Sequence, residues 1–215
     1  MSRKTEILAV TRTLFADRGY SSTSMRDLAE ACGVLPGSLY AHFRSKADLA
    51  HQIVMEFFTE LLPHQQAVYD GDGSGAARFV EMIDVVFAIC ATHHEAVRLL
   101  HHDWKTLSAM DELEDMRLAT DRTFDLWRDT VLEGVQDGSI DADIDPEFMV
   151  RLVASALNGI LDQSRFLMRP ALTSPLGGAE HLKRCLVLGI TTPTGTKHVR
   201  KAVSARPRRT QTRIP

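Results

Sequence analysis

The stretch VLPGSLYAHFRSK, residues 34 to 46, sets a proline beside a glycine between two helical patterns. The residue before a proline is pushed out of the helical region, whereas proline itself suits the first turn of a helix. A short helix is therefore predicted to begin at Pro36 and to end near Phe43. Leu39 and Phe43, four residues apart, can hold it against a core, so that positions 37, 38, 40, 41, 42 and 44 surround its outward side.

Two helical patterns precede this short helix. The first is an apolar stripe that ends at Gly19, where a left-handed helix cap costs glycine little. Its members share one helical face: Ile7, Leu8, Thr11, Leu14 and Phe15. Ser24 and Asp27 have the spacing of a capping box and open a second helix, which ends before Gly33. Three short helices with a three-residue link before the last describe a helix-turn-helix, whose third helix can enter a major groove.

Helical patterns also fill most of the chain that follows. Ser45 and Asp48 repeat the cap spacing and open a long fourth helix, which Pro63 is predicted to terminate or kink. The loop DGDGSG, residues 70 to 75, then marks the clearest boundary. Further helices are predicted over these segments: 76–92, 95–108, 111–137, 146–168 and 179–191. With no repeat and no strand-like alternation, the pattern predicts an all-α fold of about nine helices.

Composition narrows the class of protein. A chain of 215 residues with 44% hydrophobic residues can bury a full core. Its three cysteines are odd in number and widely scattered, which favours free thiols in a reducing compartment. Charged residues interrupt the only signal-like segment, at the start of the chain, and no run reaches the roughly 18 apolar residues of a spanning helix. A cytoplasmic location is predicted.

Charge is unevenly distributed along the chain. Residues 1–50 hold 7 Lys and Arg against 5 Asp and Glu, residues 51–192 hold 11 against 23, and residues 193–215 hold 7 against none. A polyanion would therefore meet the ends of the chain rather than its middle. The basic tail, 193–215, is predicted to be disordered, and it either adds salt-sensitive attraction to DNA or is simply solvated.

Residues 5–51 resemble the DNA-binding head of the TetR family of transcriptional regulators. The residues that match in order and spacing are Phe15, Gly19-Tyr20, Thr23-Ser24-Met25, Asp27-Leu28-Ala29, Gly33-Val34, Gly37-Ser38-Leu39-Tyr40-Ala41-His42-Phe43 and Ser45-Lys46. The resemblance implies three parts. They are a DNA-binding domain over 1–50 (the head), a ligand-binding and dimerisation domain over 51–192 (the body), and the tail over 193–215. It also implies a palindromic double-stranded operator and a small-molecule effector, usually with repression.

The resemblance carries DNA contacts over residue by residue. The implied contact residues are Ser24, Arg26, Pro36, Gly37, Ser38, Tyr40, Ala41, His42 and Lys46. Tyr40 matches an aromatic residue that lies against a phosphate, and Lys46 matches a phosphate clamp in the first turn of helix four. Leu35 departs from the pattern, because many members have a capping Ser or Thr there. Pro36 must fix the start of the recognition helix instead.

Two segments of the body have apolar faces wide enough to pack both against their own helical bundle and against another subunit. They are PEFMVRLVASALNGIL, residues 146–161, and HLKRCLVLGI, residues 181–190. In TetR-like regulators the last two long helices pair with their symmetry mates, so a homodimer is implied, and Ala154, Ala156 and Gly159 would permit close approach. The alternative is that these are core helices of a monomer.

Apolar residues on three successive body helices form a candidate ligand pocket. They are Met82, Val86, Phe87, Leu100, Trp104, Phe124 and Trp127. Each is alternatively plain core, and the two tryptophans are preferred because an indole offers both area and a hydrogen-bond donor. Asn158 is either a buried polar group of the pocket or part of the dimer interface. Helix four, with Lys46 at one end and Phe57 and Phe58 farther along, is predicted to link pocket and head.

A narrower resemblance concerns the effector. The pattern from His94 through Trp127 to Asp145 is similar to repressors of steroid and fatty-acid catabolism that release DNA on binding acyl-CoA esters. A CoA tail needs cations, however, and the expected helix offers Ala154, Asn158 and Asp162 at four-residue steps, with Arg151 and Arg165 nearby. The sequence therefore predicts a largely apolar effector, with acyl-CoA as one possibility.

The sequence patterns give little support for a metal-binding site or for an enzyme. His93-His94 and His101-His102 are spaced too far apart for a usual helical metal pair, so solvated histidines are favoured over a metal site. No phosphate loop, nucleophile elbow or zinc quartet stands out, and neither an enzyme nor a cofactor is predicted. A DNA-binding or partner-binding helical protein without a ligand stays as the alternative.

Overall fold

A computed structural model describes residues 2–161 and 180–186, without the side chains of residues 158, 160 and 161. The helices are α1 Arg3–Arg18, α2 Met25–Ala31, α3 Pro36–His42, α4 Lys46–Tyr69, α5 Gly75–Thr92, α6 His94–Leu107, α7 Glu114–Gln136 and α8 Pro146–Leu161. A 3-10 turn over Asp111–Leu113 precedes α7, and residues 180–186 are helical. Within these ranges there is no strand, and the prediction of an all-α fold is confirmed.

Serine side chains begin three of the four N-terminal helices. Ser2 accepts a hydrogen bond from the Thr5 backbone amide and caps α1. Ser24 caps α2 in a complete capping box, in which its hydroxyl also donates to Asp27 at 2.6 Å. Hydrogen bonds from the hydroxyl and the backbone amide of Ser24 hold the pKa of the Asp27 carboxyl below its ordinary value. Local sequence therefore suffices to place the first two helices, as predicted.

Helix α3 begins at Pro36, as the sequence predicts. Leu35 precedes it in extended geometry and makes no side-chain capping bond. Leu39 and Phe43 are 0% and 1% exposed, and they pack α3 against the other helices of the head. Proline at the first helical position replaces the missing cap because its backbone is already close to helical.

Helix α4 continues through Pro63, so of the two predicted outcomes, termination or a kink, termination is wrong. The helix runs without interruption to Tyr69. Pro63 lies on the solvent side, where water can reach the carbonyl that its missing N–H leaves unpaired. Beyond it Gln65 and Val68 are buried, and this packing offsets the roughly 3 kcal/mol that proline costs inside a helix.

Two glycines allow a close crossing of α5 and α7. A Cβ atom at Gly75 would lie 2.2 Å from the backbone nitrogen of Gly134, so α5 and α7 meet backbone to backbone. The Asp137 carboxylate, at the end of α7, accepts from the Gly75 amide at 2.7 Å and from the Ser139 amide at 2.8 Å. Burial alone would raise the pKa of Asp137, but these hydrogen bonds hold it below the ordinary value.

Some predicted features lie outside the described residues. These are the helix segments 162–168 and 187–191, the Pro-rich loop from 170 to 178 and the basic tail. Among the residues described, no helix combines the length and the apolar character that crossing a membrane requires.

Candidate nucleic-acid interface and ligand cavity

The outward side of α3 presents six of the predicted DNA-contacting residues to solvent. All six are exposed: Pro36, Gly37, Ser38, Tyr40, Ala41 and His42. Tyr40 has 55% of its surface accessible to solvent. A Cβ atom at Gly37 would meet nothing within 4 Å, so the fold itself does not require glycine there. Small residues at this point leave room for close approach of a partner.

The start of α2 adds Ser24 and Arg26 to this surface. Both are exposed in the first turn of the helix-turn-helix. The Ser24 hydroxyl is committed to the capping box with Asp27, which fixes its position. Arg26 brings a guanidinium group beside it, and that group can meet a phosphate.

Lys46 has contacts within the protein that its sequence position does not reveal. Its ammonium group donates to the carbonyl oxygens of Tyr20 and Thr23, each at 2.8 Å. It also lies 4.1 Å from the centre of the Tyr20 ring. Burial lowers the pKa of Lys46, while the nearby Asp103 carboxylate acts in the opposite direction. Lys46 therefore ties α4 to the connection between α1 and α2, and its phosphate contact stays a prediction.

A cavity of about 410 Å³ lies in the body. Five helices line it with these residues: Phe57, Phe58, Leu61, Val86, Cys90, Val97, Leu100, His101, Trp104, Thr120, Asp121, Thr123, Phe124, Trp127, Val150, Val153, Ala154 and Leu157. Cavities of this size hold small organic ligands in other proteins. The lining is predominantly apolar and aromatic, and it includes no Lys or Arg among the residues described.

The cavity brings together five of the predicted ligand-binding residues. They are Val86, Leu100, Trp104, Phe124 and Trp127. Met82 and Phe87 are instead fully buried in the core and are not part of this lining. Met82 lies one turn before Val86 on α5, and Phe87 is rotated by one residue around the helix, which explains why neighbouring apolar residues differ in role. The side chain of Asn158 lies outside the described atoms.

The cavity lining adds residues of α4 and α8 that are not among the predicted ligand-binding residues. Helix α4 contributes Phe57, Phe58 and Leu61. For Phe57 and Phe58 the sequence predicts only that their helix links pocket and head. Helix α8 contributes four residues at helical spacing: Val150, Val153, Ala154 and Leu157. The spacing was visible, but a core face and a cavity wall have the same periodicity.

Polar groups are confined to a few positions of the lining. Thr120 and Thr123 donate their hydroxyl hydrogens to the carbonyls of Met116 and Ala119 on their own helix, at 2.8 and 3.1 Å. Their oxygens can therefore only accept further hydrogen bonds from a ligand. Asp121 and His101 complete the polar part. The arrangement suits a ligand with an apolar body and a few polar atoms.

The histidine pairs make contacts of their own. A ring nitrogen of His93 lies 2.7 Å from a carboxylate oxygen of Glu60. The rings of His101 and His102 lie edge to face, with centroids 5.4 Å apart. Across residues 2–161 and 180–186, no group of three or more His, Cys, Asp or Glu side chains is arranged to hold a metal ion.

Comparison with known proteins matches both parts of the chain. Residues 7–53 match the model of bacterial regulatory proteins of the tetR family, and residues 72–162 match the tetracyclin repressor-like C-terminal domain. The HTH-type transcriptional repressor KstR2 of Mycolicibacterium smegmatis is 30% identical over 71% of this chain and 74% of its own length. KstR2 of Rhodococcus jostii is 31% identical over 70% and 74%, respectively.

Solved structures have the same fold. The ketosteroid transcriptional regulator KstR2 of Mycobacterium tuberculosis has a TM-score of 0.79 at 24% identity, covering 89% of this chain and 96% of its own. AibR, solved in complex with isovaleryl coenzyme A and operator DNA, has a TM-score of 0.73 at 18% identity, covering 86% and 97%. The matched family and the similar repressors are DNA-binding transcriptional regulators, not enzymes. This chain therefore belongs to the TetR family of bacterial regulatory proteins.

Proposed function

We propose that this regulator is a homodimeric repressor that binds a palindromic operator and releases it when an apolar effector enters the body cavity. The observation that carries the proposal is the course of α4. Its first residue, Lys46, holds the helix-turn-helix, and its middle turns place Phe57, Phe58 and Leu61 in the cavity lining. One rigid helix thus belongs to both sites.

Repression is supported by the relatives named above, which are repressors. A repressor of this kind occupies DNA in its ligand-free state. Two recognition helices related by a two-fold axis then read half-sites about 34–36 Å apart, or a multiple of that distance. The operator is accordingly an imperfect palindrome.

A second apolar face on α8 supports the dimer. Met149, Val150 and Val153 are buried inside the subunit. Phe148 and Leu152 are 65% and 40% exposed and lie four residues apart on another side of the helix. Large apolar side chains exposed together in this way mark an interaction surface. A symmetry mate packed on this face would cover both residues.

The cavity lining supports an effector whose buried part is apolar and small. Aromatic walls from Trp104, Phe124 and Trp127 would contact its flat or branched faces. Because no cation belongs to the described lining, a carboxylate or phosphate would have to remain at the mouth or outside. An acyl-CoA can satisfy this condition with its acyl group inside, and a neutral apolar molecule satisfies it completely.

Release of the operator requires only a modest coupling free energy between the cavity and the DNA-binding head. A hundredfold loss of operator affinity corresponds to about 2.7 kcal/mol, within the ordinary range of allosteric coupling. A ligand that displaces Phe57, Phe58 or Leu61 would tilt α4 and change the separation of the two heads. An operator with fixed half-site spacing would then fit poorly.

The test begins with a duplex selected by the full-length protein from a random DNA library. Tyr40→Ala is expected to weaken binding to that duplex by about tenfold or more, as for the loss of one good contact to DNA. Gln136→Ala, a neutral change at an exposed site of the body, is the control and keeps wild-type affinity. Fluorescence anisotropy measures both. Unchanged affinity in Tyr40→Ala, or a failure to enrich any sequence, would refute the assignment of the head.

A further inference from the structure

The connection between α1 and α2 is held from both sides by charged groups. On one side the Asp103 carboxylate of α6 accepts a hydrogen bond from the Tyr20 backbone amide at 2.9 Å, and the Ser21 hydroxyl lies 3.5 Å away. On the other side the Lys46 ammonium donates to the carbonyls of Tyr20 and Thr23. The backbone on both sides of Tyr20 is therefore fixed by side chains of the body helix α6 and of α4.

Tyr20 lies at the centre of this junction. Its side chain is 4% exposed, and its ring packs against Phe15 of α1 with the centroids 5.5 Å apart. Its hydroxyl lies 3.7 Å from the Met110 sulfur, in the connection that follows α6. A shift of α6 must therefore move Tyr20 or break these contacts. The chain then enters α2 only five residues later, at Met25.

One side of helix α6 lines the cavity, and another side contacts the head. Leu100, His101 and Trp104 belong to the cavity lining. Glu95, Leu99 and Asp103 recur every four residues and lie on a different side, because each residue advances about 100° around a helix. Leu99 is buried, and Glu95 accepts a hydrogen bond from Thr13 of α1 at 2.7 Å. A displacement of the cavity wall is thus a displacement of the surface that supports the head.

Asp103 differs from the other links between α6 and the head. Glu95 meets an exposed side chain, and Arg98 pairs with Asp17 at 3.8 Å at the surface. Asp103 instead accepts a hydrogen bond from the Tyr20 backbone amide in a partly buried position. Hydrogen bonds to a charged acceptor are stronger than neutral ones, and a backbone contact leaves the held segment little freedom to rotate.

We propose that Asp103 is the positioning residue that sets the orientation of the DNA-binding head on the body. The inference rests on the proposed function, since it requires a dimer that reads two half-sites. Asp103 is not part of the effector-cavity lining, and it faces the connection between α1 and α2. It fixes the angle at which α2 and α3 leave the body, and it links that angle to the helix that lines the effector cavity.

The test measures how strictly the dimer requires its half-site spacing. Duplexes selected by the wild-type protein are rebuilt with one or two base pairs added or removed between the half-sites. Asp103→Ala is expected to bind the selected spacing about tenfold more weakly, a typical allosteric magnitude, and to lose most of its discrimination against altered spacings. Affinity for a single half-site is expected to be unchanged, because the reading surface is intact.

Asp103→Asn is the conservative variant. Its amide oxygen can still accept from the Tyr20 amide, so it is expected to restore most of the spacing discrimination. His102→Ala, at the adjacent exposed position, is the control and behaves as wild type. If Asp103→Ala does not fold, Asp103→Ser replaces it, because the shorter side chain also loses the contact.

The outcomes separate the inference from the function on which it rests. Wild-type discrimination retained in a folded Asp103→Ala or Asp103→Ser variant would overturn the positioning role while leaving the repressor proposal intact. Equal loss of affinity for single half-sites and for the full site would also overturn it, because that result indicates general damage to the head. If the wild-type protein itself ignores spacing, the proposed function fails and the inference fails with it.

Discussion

Leu35 shows how one residue can depart from a family pattern without losing the helix it precedes. It occupies the N-cap position of α3 with 79% of its surface exposed and with no side-chain cap. The four amides at a helix start need partners, and a leucine offers none. Pro36 removes one of those amides and fixes the first turn, so α3 begins at Pro36 without a side-chain cap.

The substitution Leu35→Ser is expected to stabilise the protein. A serine at the N-cap can accept from an amide of the first turn, which contributes about 0.5–2 kcal/mol relative to a residue that cannot. Urea unfolding of the two proteins measures the difference in the free energy of unfolding. A decrease in that free energy would mean that the exposed leucine makes a contact essential to the head.

Gln65 is a buried residue whose polar atoms have no partner among the described residues. Both amide atoms are inaccessible, in the part of α4 that follows Pro63. An unpaired buried polar group costs about 1–3 kcal/mol, whereas an apolar side chain of similar shape avoids that cost. Gln65→Met is therefore expected to raise the free energy of unfolding, as measured by urea denaturation. A loss of more than about 1 kcal/mol would show that the amide has a partner.

Elements of the head could be predicted from sequence because their signals are local. Ser24, Pro36 and Gly19 each fix a helix end by their own backbone or side-chain chemistry. Lys46 could not be assigned in this way, because its partners are 23 and 26 residues away. The sequence also could not distinguish Met82, which is in the core, from Val86, which lines the cavity. Both are apolar residues of α5, and their roles differ only because the neighbouring helices leave a space beside Val86.

The crossing of α5 and α7 gives a prediction about two glycines. Gly75→Ala is expected to cost several kcal/mol, because its Cβ would overlap the backbone of Gly134 and force the helices apart. Gly37→Ala is the matched change: its Cβ meets nothing in the protein, so stability is retained while affinity for the selected duplex falls. Thermal unfolding and anisotropy together separate the two effects. Equal unfolding temperatures for both variants would contradict the backbone contact.

The same crossing predicts a dependence of stability on pH. The pKa of Asp137 is lowered in the folded protein from its ordinary value of 3.8, so its contribution is complete above 3.8 and is lost as the pH falls from there through the lower pKa of the folded state. The free energy of unfolding is therefore expected to decrease below about pH 5. Asp137→Asn cannot titrate and is expected to flatten this acid limb. An identical slope in both proteins would assign the acid sensitivity to other carboxylates.

On the scale of the whole molecule, the proposed DNA-binding head and the proposed effector cavity share α4, and α6 forms a second connection between them. The local chemistry of the chain accounts for the head, and the family match accounts for the plan of the body. The proposed function requires that the effector and the operator exclude each other from the same dimer. By linkage, a ligand that weakens DNA binding must itself bind more weakly to the DNA-bound protein.

Native mass spectrometry of the full-length protein, mixed with its selected duplex and a small-molecule extract of cells, tests that mutual exclusion directly. A small molecule is expected to accompany free dimers and to be depleted from dimers that carry DNA. Equal shares of the molecule on free and DNA-bound dimers, or no bound molecule on either, would contradict it.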